Sequence, residues 1–500
     1  MNDNLPQPKE YDAVLGGNNY FLIYAAVLGG IEGILIDLNY AKNREERNII
    51  LSQLNQYNKI KSSANNKNLL LKLLKKDVEI WNEWRENNPN IFPNLARVCS
   101  RELSIIGANL NQVNLNEANL IGSSFKQIKL ARSNLIETNL ERANFENVEL
   151  DEVNLTRANL EQININNASF KYAKLTETNL ESSRVENTNL QRSNCKQANF
   201  KNSSIVRVNF QSAILTSANL EKVYLQEVNF KNAILKRSNF NKSRLKSVNL
   251  EYANLEEANL NDIDFTAGNL ANAKLKNSRL KKAQLRSICL QNTDLENANL
   301  SNAKLTEANI LNANLNGANL IAANLKNADL SGSDLRNANL YNANLNGAFL
   351  KKVKINAKTN LNKKWRLVWK IIHNNCGSNN LENVDLSNAN LSDRSYIQNN
   401  SQNNFSLDLK IRGIELTNFN LKNANLERVN LKNANLKNAN LEGANLKNAD
   451  LRYVNLEGAN LKNADLENAN LEGVNVNKNT NFENAILQGT HFQNYPLIYR

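Results

Sequence analysis

The chain has 500 residues, 41% hydrophobic and 22% charged, with 61 lysines and arginines against 48 aspartates and glutamates, a formal net charge of +13. That composition excludes a charged disordered chain, because there is enough apolar surface to build a long core. The four cysteines, Cys99, Cys195, Cys289 and Cys376, are too scattered for a disulfide framework, so a reducing compartment is expected.

In chain order, the N-terminal stretch "MNDNLPQPKEYDAV" lacks the basic-then-apolar order of a secretory leader. The most apolar stretch, Tyr20 to Ile36, holds Glu32 and three glycines and is shorter than a membrane span requires. A soluble, cytoplasmic protein is expected. Next, Leu70, Leu73, Leu74, Val78, Trp81 and Trp84 fall near one helical face that ends before Pro89. This helix is expected to cover an open β-edge at the start of the following array, with Trp81 and Trp84 as core residues of a cap.

From Ile105 to Ile355, every fifth position is Leu, Phe, Ile, Val or Cys. Two positions earlier the residue is mostly small, as in Ala108, Ala118, Ser133, Ala143 and Ala318, and the residue between is mostly Asn, as in Asn109, Asn119 and Asn319. An α-helix would carry such a period around the rod, and a flat strand would flip each apolar residue to the opposite face. The period fits a chain that turns a corner at every repeat and points each apolar residue at a common axis, with Asn and Asp at the corners. Proline agrees, since none of the five lies between residues 94 and 495, as expected where backbone is paired on both sides.

At "AKTNLNKKWRLVWKIIHNNCGSNN", residues 357–380, the count stops, and it resumes at Leu381 one residue out of step. Residues 351–370 hold eight basic residues and no acidic one: Lys351, Lys352, Lys354, Lys358, Lys363, Lys364, Arg366 and Lys370. Helical spacing puts Leu361, Trp365, Val368, Trp369 and Ile372 on one face. Trp365 and Trp369 are expected to pack against the repeats, and the cations form a candidate binding surface for an anionic membrane or a nucleic acid. An Asn/Ser/Gln-rich loop, residues 396–410, precedes the second array.

At "ANLNGANLIAANLKNADLSGSDLRNANL", residues 313–340, the chain resembles the pentapeptide repeat family, with its A-(N/D)-L-x-x consensus. "EYDAVLGG" and "AAVLGGIEG", residues 10–17 and 25–33, resemble segments that precede such arrays in cyanobacterial proteins. The resemblance implies an all-β solenoid, a right-handed quadrilateral β-helix with four pentapeptides per coil, here with an α-helical N-terminal cap and a short helical insertion. The expected organisation is a helical region and cap over 1–94, a first stack over 95–355, a basic amphipathic insertion over 356–380, a second stack over 381–495 and a tail over 496–500.

No constellation of catalytic residues stands out, and no cofactor or metal is expected. His373 and His491 lie far apart, and His373 with Cys376 makes a lone pair of candidate ligands. Glu256 and Glu257 sit at outward positions, where a solvated face accounts for them. Some relatives in the resembled family imitate DNA and bind topoisomerases, which a charge of +13 argues against here. If positions twenty apart stack, Lys422, Glu442 and Lys462 form one column and Glu427, Lys447 and Glu467 another, with alternating signs. Near residues 236–286, Lys242 and Lys282 share a column with Asp262 between them, and Lys246 and Arg286 share another, a weak basic patch read as solvated face. The leading reading is a non-enzymatic scaffold or protein-interaction rod with an unidentified protein partner. The second is an adaptor for an anionic partner through residues 351–370, and the third a DNA-mimicking topoisomerase modulator.

Overall fold

A computed structural model describes residues 66–392 and 413–492. The expected N-terminal segments, the 396–410 loop and the 496–500 tail therefore lie outside the described residues. The chain divides into two compact units, Met1–Asn199 and Phe200–Arg500.

In the first unit, α1 (Asn66–Lys76) and α2 (Val78–Asn87) precede the repeats. Asp77 starts α2: its carboxylate accepts the Ile80 N–H at 3.0 Å, satisfying one of the orphan donors of a helix start. Five short strands then follow at twenty-residue intervals: β1 (Ser104–Ile106), β2 (Ser124–Lys126), β3 (Asn144–Glu146), β4 (Asn164–Asn166) and β5 (Arg184–Glu186). Each pairs in parallel with the next, Ile105 opposite Phe125, Phe125 opposite Phe145 and so on. Rungs with the same spacing occupy the other sides, as in Asn114↔Asn134, Asn119↔Asn139 and Lys129↔Glu149. Four pentapeptides therefore make one coil of a parallel β-solenoid.

A single pentapeptide shows why the sequence does this. Leu110 donates its N–H to Lys129 O at 2.7 Å, and Lys129 returns its N–H to Ala108 O at 3.1 Å, locking coil to coil. Val113 N–H turns back to Leu110 O at 3.2 Å, closing the corner, and Gln112 within that turn has φ 58°. The left-handed residue recurs at nearly every corner, mostly as Asn, Glu, Gln, Arg, Lys or Ser, while Val, Ile and Thr are absent from that set among the described residues. Branching at Cβ makes this conformation costly. The central residue is buried and so is the small one two places before it, where a larger side chain would meet the neighbouring leucine. Burying each central Leu or Phe contributes roughly 1.5–3 kcal/mol against the entropy of ordering its corner.

The coil pattern begins earlier than the apolar count suggests. Leu95 N–H donates to Asn114 O and Ser100 N–H to Asn119 O, at 2.7 and 2.9 Å, so both belong to the first coil. Ser100 is buried at a central position, and its polarity hides it from a hydrophobic count.

The second unit repeats the arrangement. Strands β6 (Ser204–Val206), β7 (Tyr224–Gln226) and β8 (Arg244–Lys246) pair in register, and later coils continue as single rungs such as Asn299↔Asn319↔Asn339. Phenylalanines stack along its axis, Phe210 on Phe230 with ring centroids 4.9 Å apart. Where Phe265 fills the core, the small position is reduced to Gly268, because a Cβ there would lie 1.9 Å from the ring.

The phase change has a different origin from the helical insertion. The rung after Asn339 is Asn360, twenty-one residues on, so the extra residue is already absorbed before the helix begins. Asn356 and Thr359 close this six-residue corner reciprocally. Asn356 N–H donates to Thr359 Oγ1 at 3.0 Å, Thr359 N–H donates to Asn356 Oδ1 at 3.1 Å, and the hydroxyl donates to Leu335 O at 3.0 Å. The same device recurs where Val476 is followed by Phe482: Asn477 N–H donates to Thr480 Oγ1 at 3.1 Å, and Thr480 Oγ1 donates to Leu456 O at 2.9 Å. The helix itself, α3 (Lys363–Ile372), starts at Asn362, whose side chain accepts the Lys364 N–H. Its buried residues are Trp365, Val368 and Ile371, whereas Leu361, Trp369 and Ile372 are half-buried. The buried face is rotated from the one read off the spacing, and the half-buried Trp369 spends its indole N–H on a backbone carbonyl.

Candidate interaction surface

The helices and the outward columns carry the side chains with free chemistry. Trp81 and Trp84 are both buried, rings 5.4 Å apart. Trp81 Nε1 donates to Asn109 O at 2.9 Å, and the Asn82 amide accepts Asn109 N–H at 2.8 Å and donates to Gly107 O at 3.0 Å. Arg85 Nη2 donates to Asn111 O at 2.8 Å, and burial pushes its guanidinium pKa down. In later coils the carbonyls equivalent to Asn109 O and Asn111 O accept backbone N–H groups of the preceding coil. Side chains of α2 therefore stand in for strand at the first edge. Asn82 and Arg85 carry no apolar signal, so helical spacing does not single them out.

Helix α3 uses the same chemistry. Trp369 Nε1 donates to Val353 O at 2.8 Å, and its ring stacks on His373 at 4.6 Å between centroids. His373 Nδ1 lies 2.7 Å from Trp369 O, a structural contact for this histidine. His491 forms the last rung, opposite Asn470. Among the described residues, no three His, Cys, Asp or Glu side chains come together as a metal-binding group. Cys195 is buried and its thiol pKa is pushed up to about 12 by that burial.

The eight basic residues of 351–370 divide into two groups. Lys364 pairs with Asp385 at 2.9 Å, donates to Ser387 Oγ and covers the Trp365 ring. Arg366 donates to Thr359 O, Lys354 lies near enough to Asp334 to help lower its carboxyl pKa, and Lys351 is also engaged. Lys352, Lys358, Lys363 and Lys370 make no ion pair among the described residues.

Elsewhere the columns pair from rung to rung. Arg97 meets Glu117 at 3.0 Å, Arg132 meets Glu152 at 3.1 Å, Lys422 meets Glu442 at 3.1 Å and Lys447 meets Glu467 at 2.8 Å. Glu256 and Glu257, expected as solvated carboxylates, pair with Lys236 and Arg237 at 3.2 and 2.7 Å. Asparagine ladders run between them, Asn159 to Asn139, Asn179 to Asn159 and Asn199 to Asn179 at 3.0–3.2 Å. Each exposed ion pair is worth about 0–1 kcal/mol, so the columns stabilise by repetition rather than by any single pair.

No helix among the described residues is long and apolar enough to cross a membrane. No curated protein matches the chain. Among solved structures, the pentapeptide repeat protein Rfr23 from the cyanobacterium Cyanothece 51142 is 40% identical over 20% of this chain and 64% of its own, with a TM-score of 0.16. The match thus spans less than two thirds of that relative. HetL, a pentapeptide repeat protein involved in heterocyst differentiation regulation from the cyanobacterium Nostoc sp., is 25% identical over 54% of this chain and 92% of its own, with a TM-score of 0.18. QnrB1, a plasmid-mediated fluoroquinolone resistance protein, is 16% identical over 39% and 96%, with a TM-score of 0.24. The model described as pentapeptide repeats matches residues 186–221, 283–320, 318–356, 411–448 and 439–477, and that described as a pentapeptide repeat region matches 103–172 and 213–295. These matches cover most of the coils laid out above, and the chain belongs to the pentapeptide repeat family.

Proposed function

We propose that the chain is a non-enzymatic scaffold that binds a protein partner through its outward columns. The observation that carries this reading is the division of labour within each pentapeptide. Central and small residues face the core, backbone groups are spent between coils, and the outward residues stand in fixed columns at the rung spacing. A surface whose side chains repeat about every 4.8 Å is preorganised for recognition, which lowers the ordering cost of association. Cross-linking of the intact chain in its source lysate, read by mass spectrometry, tests it. Cross-links from outward-column lysines to one reproducible protein are expected. Turnover of a small substrate by the purified chain, with no such cross-links, contradicts it.

A second reading rests on Lys352, Lys358, Lys363 and Lys370, four cations of the basic segment with no ion pair among the described residues. They would hold an anionic membrane surface or nucleic acid. Co-sedimentation with phosphatidylserine vesicles at rising salt, or with duplex DNA, should weaken with salt and be lost in a variant carrying all four as Gln. Unchanged binding by that variant removes the reading. Lys364 is left intact, because its loss would also break the contact to Asp385.

A further inference from the structure

Many cations in this chain are matched by a carboxylate one coil on, and in the second unit, apart from the 351–370 segment, one edge gathers several that are not. Lys231 meets Glu251, Lys236 meets Glu256 and Lys276 meets Glu296, at 2.9, 3.2 and 3.0 Å. In contrast, Lys242 at a corner and Arg244 and Lys246 on strand β8 directly after it are all exposed, and none forms an ion pair among the described residues. Two coils further on, Arg279, Lys281 and Lys282 repeat the situation on the same edge. The register that stacks them is explicit: Arg244↔Asp264↔Gln284↔Lys304 on one side of the corner, and Asn259↔Arg279 on the other. Lys304 extends the edge by another coil, exposed and likewise without an ion pair among the described residues.

The acidic groups facing this edge are few. Asp262 and Asp264 occupy the intervening coil, Asp264 accepting from Thr266 Oγ1 at 3.1 Å. Glu307 is taken by Arg286 at 3.5 Å, Glu221 lies 4.0 Å from Lys222, and Glu227 accepts from Gln226. Tyr224 stands opposite Arg244 in the strand register, on the rung before it, exposed and hydrogen-bonded to Gln226 at 2.5 Å.

We propose that the edge formed by Lys242, Arg244, Lys246, Arg279, Lys281 and Lys282 is a binding surface for single-stranded nucleic acid. Coils about 4.8 Å apart place the two cation clusters roughly 10 Å from each other along a narrow ridge. A flexible phosphate backbone follows such a ridge, and its binding is carried by Lys and Arg without reading sequence. The exposed Tyr224 ring beside the first cluster supplies a face on which a base stacks. Asp262 and Asp264 between the clusters repel a phosphate but accept from the exocyclic amino group of a base. A bare polyanion gains nothing from those carboxylates or from the ring, and a lipid surface cannot reach into the gap between two clusters. This edge is separate in sequence from the 351–370 segment, and the two make different demands on the same experiments.

The test is fluorescence anisotropy of a labelled mixed-sequence single-stranded oligonucleotide with the full chain, from 50 to 200 mM salt. The variant Lys242→Gln, Arg244→Gln, Lys246→Gln should bind about tenfold or more weakly at the lower salt. Its slope of log affinity against log salt should fall by about 2, from three lost phosphate contacts at about 0.7 each. Tyr224→Ala should weaken binding about fivefold or more while Tyr224→Phe keeps it. The variant with Lys352, Lys358, Lys363 and Lys370 as Gln should bind the oligonucleotide as the wild type does. Wild-type affinity in the triple variant, or oligonucleotide binding lost in the variant without the 351–370 cations, overturns the proposal. All the substituted residues are exposed, and an unchanged melting temperature checks that the coils remain intact.

Discussion

At each corner, one backbone angle decides which residues are admissible. Asn312 has φ 54° and Gly332, one coil on, has φ 73°. Asn312→Ile should cost about 1–2 kcal/mol, measured by denaturant unfolding, whereas Asn312→Gly should be tolerated. An equal effect of the two would show that the left-handed angle is not what restricts the position. The ion-paired carboxylates set the acid limit. Arg336, hydrogen-bonded beside it, holds the Asp334 carboxyl below the usual range; Arg237 does so for Glu257 and Lys437 for Glu457. Because their folded-state values are depressed, their contribution is complete above the unfolded pKa, about 4, and is lost as pH falls through the folded values. Thermal melting should therefore be flat from neutrality to about pH 5 and fall below about pH 4. A decline beginning above pH 6 would contradict this assignment.

Among the helices and corners, legibility in the sequence follows the kind of force involved. The burial of Trp81, Trp84 and Trp365 was readable from helical spacing because apolar periodicity reports burial directly. The hydrogen bonds by which Asn82, Arg85 and Trp369 finish β-edges were not, since a polar side chain substituting for backbone leaves no period. Ser100 was missed for the same reason in reverse, as a polar residue at an apolar position. The phase change was visible as an extra residue before Leu381, but its cause, the "NAKTN" corner, like the later "NKNTN" corner, lies in side-chain pairing rather than in hydrophobicity. Thr359→Val should destabilise by about 1–3 kcal/mol by leaving the Asn356 N–H without its acceptor, and Thr359→Ser should restore most of it. Denaturant midpoints of the two variants decide this, and a loss in Thr359→Ser with Thr359→Val unchanged would argue for packing of the methyl group instead.

At the scale of the whole molecule, the ends of the described repeats differ. Ile105 and Leu110 near the first edge, where α2 side chains bond the backbone, are buried, while Val476, Phe482, Leu487 and Phe492 at the last described coil are only half-buried. Repeat folds gain stability from neighbouring coils, so amide exchange should be faster over 476–492 than over 103–120. Equal protection would mean that something covers the last coil. The chain's outward columns were legible as soon as the twenty-residue coil was recognised, and Lys422 with Glu442 pairs as the column arithmetic required. Which cations stay unmatched was not legible, because it depends on side-chain reach across a rung.

The reading of the chain as a scaffold places its function on those columns rather than in the core. The measurement that tests it most directly is paired melting and partner binding for a set of charge reversals, one outward column at a time, in the intact chain. Loss of the partner on reversing one contiguous column, with the melting temperature unchanged, is the predicted result. Partner binding that survives every column reversal and fails only when the fold melts would contradict it.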